Sequence, residues 1–254
     1  MEPAPALDVL LPAGRPRIEP DPAETALTEL YAYPPGPWVR ANMIATLDGA
    51  ATGADGRSGS INGAADHRVF DVLRALADVI LVGAGTARAE RYRAPRTPEE
   101  LLPVRRALGL PDHPPLAVVT RRGDLPAALL DDSPRPWVFT VPEAPFLGHL
   151  RAHLPPERLH LHEGGVDVGS VLETLAAAGL GHVLCEGGPR LLGDLVAAGR
   201  LDELCLTQGA AVVGGDASRV VHAAPWAEPP LRARPAHLLH ADGVLIGRWL
   251  LARD

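Results

Sequence analysis

The sequence predicts an α/β fold: a mixed, mostly parallel sheet flanked by helices and finished by a C-terminal antiparallel hairpin. Three observations carry this. From Trp38 onward, short apolar runs of strand length alternate with segments of helical period, the order in which crossover helices wind a parallel sheet. Glycine-bearing turns close several of those runs, where open α/β sheets bind ligands. Near the C-terminus, two apolar runs flank Ala241, Asp242 and Gly243, a connection short enough for a hairpin.

In chain order, the first 36 residues hold eight prolines around one helical stretch at 23–32. They are expected to lie across the body as an extended arm, leaving residues 37–254 as a single domain. Strands are predicted at 39–45 and 78–82, separated by a helix at 66–77 that aligns Val69, Leu73 and Leu76 on one face. Further strands follow at 116–120, 137–141, 159–161, 182–186 and 203–207. A helix at 171–178 is stopped by Gly179, and another begins near Pro189, whose missing amide costs nothing in a first turn. The strands at 237–240 and 244–251 form the hairpin.

Composition narrows the function. A chain of 254 residues with 46% hydrophobic content can bury a substantial core. Its longest apolar runs fall far short of the roughly 20 residues that cross a bilayer, so no membrane association is expected. The N-terminal stretch has neither a basic start nor a continuous apolar segment, which argues against a secretory signal and for a cytoplasmic location. A net charge of −7 without a basic surface argues against nucleic acid as a partner and for a small-molecule substrate. Cys185 and Cys205 lie inside strand-like runs and read as buried thiols. All 24 strongly basic side chains are arginine. Without lysine there is no Walker-type phosphate loop, no pyridoxal Schiff base and no lysine nucleophile. Arginine still suits phosphates, because its planar fork donates two parallel hydrogen bonds.

Three segments carry candidate chemistry. In HVLCEGGPRLL a strand runs into Glu186, Gly187 and Gly188 and then a helix bearing Leu191. Free amides and the positive end of the helix dipole there favour a phosphate, although a tight strand-to-helix turn without a ligand explains the pattern as well. The other EGG copy, at 163–165, is followed by Val166, Asp167 and Val168 and reads as a loop. In VGAGT, Gly83, Ala84, Gly85 and Thr86 follow a buried strand, but Arg88 makes the pattern G-x-G-x-x-R rather than the dinucleotide fingerprint, which points to a different cofactor fold. In TLDG, Asp48 ends a strand, as a substrate-binding carboxylate or as ordinary turn chemistry. His149 with His153 and His160 with His162 have spacings suited to two ligands on one face, yet no third ligand completes either pair, and no metal is expected.

Five segments in order, TLDG, LRALADVILVGAGTARAE, CEGGPRLL, LDEL and VVGGD, resemble the reductase domain of riboflavin biosynthesis. That domain is the C-terminal half of bifunctional deaminase-reductases and has a dihydrofolate reductase-like fold. The resemblance implies NADPH as hydride donor and a phosphorylated ribosylaminopyrimidine whose ribosyl chain is reduced to ribityl. It implies that Gly83, Ala84, Thr86, Glu90, Gly187, Gly188, Leu191, Gly214 and Gly215 line the dinucleotide, that Asp48 and Glu186 face the substrate, and that the chain forms a homodimer. Thr120 and Arg121, ending the strand in VVTRRG, suit an adenosine 2′-phosphate; a solvated strand end is the alternative. Arg68 and Arg74 are candidates for the substrate phosphate. Where the family commonly carries Trp-Ile-Thr, this chain has Gly59, Ser60, Ile61 and Asn62. The zinc signature of the deaminase half cannot be formed from two isolated cysteines.

Two other functions remain open on the same residues: a dihydrofolate or pterin reductase on this scaffold, and a non-catalytic NADPH-binding sensor. Fold alone does not choose among them.

Overall fold

The computed structural model describes residues 4–222 and 224–252; the first three residues of the expected arm and residues 223, 253 and 254 lie outside the described residues. The predicted alternation resolves into strands β1 (Asp8–Leu11), β2 (Trp38–Ala45), β3 (Val79–Gly83), β4 (Leu116–Val119), β5 (Trp137–Thr140), β6 (Leu159–Leu161), β7 (His182–Cys185), β8 (Glu203–Gln208), β9 (Ala233–Ala241) and β10 (Val244–Leu251). They form one ten-stranded sheet in the order β1-β9-β10-β8-β2-β7-β3-β4-β5-β6. From β8 to β6 every neighbouring pair is parallel. The β9–β10 hairpin joins β8 antiparallel, and β1 closes that edge antiparallel to β9. The fold is therefore mixed and mostly parallel, with the C-terminal hairpin the sequence predicts.

Helices cover both faces, and strand alternation decides which. Val79 and Leu81 of β3 pack with Val171 and Leu175 of α7 (Val168–Ala177) and with Leu191, Leu192 and Leu195 of α8 (Pro189–Ala197). Ile80 and Val82 point the other way, into a cluster with Leu129 and Leu150 from α5 (Ala127–Leu130) and α6 (Leu147–His153). The third cluster holds Val69, Val72, Leu73 and Leu76 of α2 (Ala64–Leu76) with Leu184 of β7 and Ile246 of β10. Each such fully buried aliphatic side chain contributes about 1.5–3 kcal/mol, so the three clusters fix the layers. Both cysteines are buried, and burial pushes the Cys185 thiol up to about 12.

Local signals set the helix ends. Asp167 caps α7 by accepting the Ser170 amide at 2.7 Å, and Gly179 follows the helix at φ +79°. α8 begins on Pro189. The helices absent from the sequence reading are short: α3 (Ala84–Ala89), α4 (Leu102–Ala107), α5 and α6, none with enough turns to show a hydrophobic period. β9 starts earlier than predicted because Pro235 sits where β9 pairs β10 alone, so its missing amide breaks no ladder bond to β1.

The segment expected as an arm supplies β1 and α1 (Thr25–Leu30). Arg68 reaches from α2 to hold it, binding both carboxylate oxygens of Glu24 and the carbonyls of Pro5, Ile18 and Glu19. This corrects the expectation of Arg68 as a phosphate ligand: its five donors are spent on the N-terminal segment, and it does not line the cleft at the carboxyl ends of the parallel strands.

Candidate active site

β7 lies between β2 and β3, which brings two glycine turns distant in sequence to one edge of the sheet. The Gly83 amide donates to the Gly187 carbonyl at 2.8 Å. A Cβ on Gly188 would stand 2.5 Å from Thr86 Oγ1, so a side chain there would displace Thr86 or the turn, whereas one on Gly83 would reach the Gly188 amide nitrogen at 3.4 Å, an ordinary contact. The turns open onto a cleft of about 1,090 Å³ at the carboxyl ends of the parallel strands.

Most of the expected site residues line that cleft. Gly83, Ala84, Thr86 and Glu90 come from the end of β3 and from α3, Glu186, Gly188 and Leu191 from the end of β7 and from α8, and Thr120 and Arg121 from the end of β4. Thr120 Oγ1 accepts the Gly123 amide, which shapes the turn bearing Arg121 and Arg122. The Glu90 carboxylate accepts both the amide and the hydroxyl of Ser58, tying the 52–60 loop across the cleft mouth. Gly187 spends its carbonyl on Gly83 and is not part of the lining.

Asp48, Gly214 and Gly215 lie outside the lining, and of the two glycines it is Gly214 that meets Asp48. The exposed Asp48 carboxylate accepts the Thr46 hydroxyl at 2.5 Å, the Gly214 amide at 2.7 Å and the Val213 amide at 3.3 Å. These hydrogen bonds, the Thr46 one foremost, hold its pKa below the ordinary carboxylate value. TLDG and VVGGD are thus two halves of one loop junction, reinforced by the Leu47 amide on the Ala211 carbonyl.

Glu186 is the most heavily engaged group in the cleft. Its carboxylate accepts Nε and Nη2 of Arg74, both at 2.7 Å, and the Tyr92 hydroxyl at 2.5 Å. The Glu186 side chain is 3% exposed and that of Arg74 18%. Arg74 is therefore a cleft residue as the sequence suggests, but its fork is occupied by a carboxylate rather than open for a phosphate. Burial raises the Tyr92 pKa well above its usual value, with the adjacent Glu186 charge adding to it, so the hydroxyl keeps its proton and donates. Sequence reasoning missed Tyr92, Phe70 and Asp66, all on the lining. Spacing offered a signal for two of them: Asp66, Phe70 and Arg74 recur every four residues and form one stripe of α2.

The residues present fit a dinucleotide. Gly59 and Gly85 line the cleft with nothing within 4 Å of a built Cβ, leaving backbone open to a close ligand. Arg121, Arg122 and Arg190 are exposed on the lining and make no ion pair among the described residues, a positive rim on a chain of net charge −7. Among the described residues, no helix is long and apolar enough to cross a membrane.

Comparison with known proteins agrees with this geometry. The chain is 30% identical over 187 residues to the 2,5-diamino-6-ribosylamino-4(3H)-pyrimidinone 5′-phosphate reductase of Archaeoglobus fulgidus, covering 73% of this chain and 85% of that protein. It is 29% identical to the riboflavin biosynthesis protein RibD of Mycobacterium tuberculosis, of which it spans 45%. A pyrimidine reductase-like protein from Corynebacterium diphtheriae shares the fold at a TM-score of 0.73 and 24% identity, over 86% of this chain and 93% of that one. Residues 37–245 match the RibD C-terminal domain, and the chain belongs to that family.

Proposed function

We propose that this chain is an NADPH-dependent reductase of the riboflavin pathway, reducing the ribosyl chain of a 6-ribosylaminopyrimidine 5′-phosphate to ribityl. The observation that carries the reading is the Gly83 to Gly187 hydrogen bond, which joins two glycine turns at the mouth of a cleft that also holds the Glu186, Arg74 and Tyr92 cluster. Names borne by relatives support it: the archaeal protein is a reductase of the diaminopyrimidinone phosphate.

A bound nicotinamide dinucleotide supplies the hydride, and the protein supplies position and exclusion of water. In this reading Gly83, Gly85 and Gly188 offer backbone to the pyrophosphate, and Arg121 with Arg122 holds the 2′-phosphate through charge-assisted hydrogen bonds. Glu186 acts as a positioning residue. Three donors already engage its carboxylate, so it fixes the Arg74 guanidinium and the Tyr92 hydroxyl for contact with substrate oxygens rather than delivering a proton itself. Asp48 positions Val213 and Gly214 beside the cleft by holding their amides. From the family likeness the chain acts as a homodimer.

The test is NADPH oxidation followed at 340 nm with the aminopyrimidine ribosyl phosphates and, separately, with dihydrofolate. Turnover of the pyrimidine phosphates with a lower KM for NADPH than for NADH is expected. Turnover of dihydrofolate alone would replace this function with folate reduction, and tight NADPH binding without turnover would replace it with cofactor sensing.

A further inference from the structure

The chain holds four sulfur atoms, in Cys185, Cys205 and two methionines, and the fold treats them unequally. Both thiols are fully buried, and burial raises the pKa of each, so neither presents the thiolate that reacts with oxidants. Met1 lies outside the described residues. Met43 lies in the cleft. β2 pairs with β7 only from Trp38 to Ala41 and then runs on beside β8, so Asn42, Met43 and Ile44 pass the end of β7 and line the opening. Strand alternation turns Met43 to the same face as Val39 and Ala41, where it packs half-buried on the apolar cluster shared with α8. Its thioether rests on the Gly187 turn: a Cβ on Gly187 would stand 3.1 Å from Met43 Sδ and 3.3 Å from its Cε. Gly187 is the residue whose carbonyl ties the two glycine turns together through the Gly83 amide. Among the described residues, the one sulfur that the cleft exposes therefore touches the junction of those turns.

We propose that Met43 is an oxidative modification site, at which hydrogen peroxide weakens binding of the dinucleotide. The inference rests on the reading of this cleft as an NADPH site and names a regulation of it. A sulfur lone pair attacks one peroxide oxygen, the S–O bond forms as the O–O bond breaks, and the proton on the attacked oxygen passes to the departing hydroxide to give water. Sulfur loses two electrons and the peroxide gains them. The sulfoxide puts a polar, chiral group where an apolar thioether lay. Packed between Gly187 and the apolar cluster, the added oxygen either displaces the turn or swings the side chain into the cleft, because a close-packed apolar contact has neither the room nor the polarity for it. Both responses oppose the cofactor. Reduction of the sulfoxide back to the thioether by a methionine sulfoxide reductase reverses them.

The test treats the protein with hydrogen peroxide, weighs its peptides by mass spectrometry and measures NADPH affinity on the same samples by fluorescence titration. Wild type is expected to gain about 16 Da on the peptide bearing Met43 and nothing on those bearing Cys185 or Cys205. Its affinity should fall about tenfold as the oxidised fraction rises, the scale of one poorly accommodated polar group. Bound NADPH should slow the modification, and a methionine sulfoxide reductase with dithiothreitol should restore the affinity. Met43→Leu, compared with its own untreated sample, should keep its affinity through the same treatment. Met43 oxidised without loss of affinity, an equal loss in Met43→Leu, or a loss that follows Met1 or the cysteines overturns this inference alone. Untreated protein that does not bind NADPH overturns the reading of the cleft and this inference with it.

Discussion

Replacing Glu186 by Gln is the sharpest test of how the cleft is held together. The substitution keeps the shape and removes the charge. It also turns one acceptor oxygen into a donor, so with either amide orientation an NH2 group faces Arg74 Nε or the Arg74 Nη2 and Tyr92 side. Breaking a buried ion pair by altering one partner costs about 3–5 kcal/mol. Arg74 keeps 18% of its side chain exposed, and water there recovers part of the loss, so the lower end applies, about 3 kcal/mol. For a chain of this size 1 kcal/mol shifts the thermal midpoint by about 2–4 °C, which gives a fall of roughly 6–12 °C. The assay is far-UV circular dichroism melting with a urea titration, so that an unchanged m value identifies a loss of stability rather than a changed denatured state. Adding Arg74→Met in the Glu186→Gln background removes the stranded guanidinium and should recover about half of the loss. A midpoint for Glu186→Gln within about 2 °C of wild type would refute the claim that this pair is a fixed structural unit.

Gly188→Ala places a methyl 2.5 Å from Thr86 Oγ1, so the Thr86 side chain or the turn must shift. NADPH affinity measured by fluorescence titration is expected to fall about tenfold, and Thr86→Ala in the same chain should restore stability even where it does not restore binding. Arg121→Ala combined with Arg122→Ala should raise the KM for NADPH by about 10- to 100-fold and leave the KM for NADH nearly unchanged, because in the proposed function these two arginines serve the 2′-phosphate alone. His237, 1% exposed and edge-on to Tyr31, has its pKa lowered to about 3, first by burial and then by Arg248. A depressed folded value means that the fold accepts the neutral ring: stability is complete above about 6.5 and is lost as pH falls toward 3, by about 2 kcal/mol between pH 6.5 and 5. Urea titrations at those two pH values should show this decline in wild type and a shallower one in His237→Leu.

Several parts of the site were readable one segment at a time. The strand ending in Gly83, the helix starting on Pro189 and the apolar face of α2 each follow from local period and turn chemistry, and the structure places them within a residue or two of expectation. Asp48 shows where local reading stops. Its position at a strand end was legible, but its partners are backbone amides of Val213 and Gly214, and an amide looks the same at every position of a sequence. Arg68 and Arg74 show the same limit. Six residues apart on one helix, they looked interchangeable, yet one holds the N-terminal segment and the other pairs with Glu186. Which carboxylate each guanidinium meets depends on what the helix packs against.

The sequence by itself determined the alternating architecture, the absence of lysine chemistry and the two glycine turns, because backbone preference and hydrophobic period act over a few neighbouring residues. Only the tertiary structure decided that β7 inserts between β2 and β3, since strand order is set by how both faces of the sheet are covered at once. That insertion puts Glu186 against Arg74 and Tyr92, and Gly187 against Gly83. Asp66 went unnoticed because a carboxylate in a first helical turn is unremarkable until the fold buries it against Thr207 of β8 on the cleft wall.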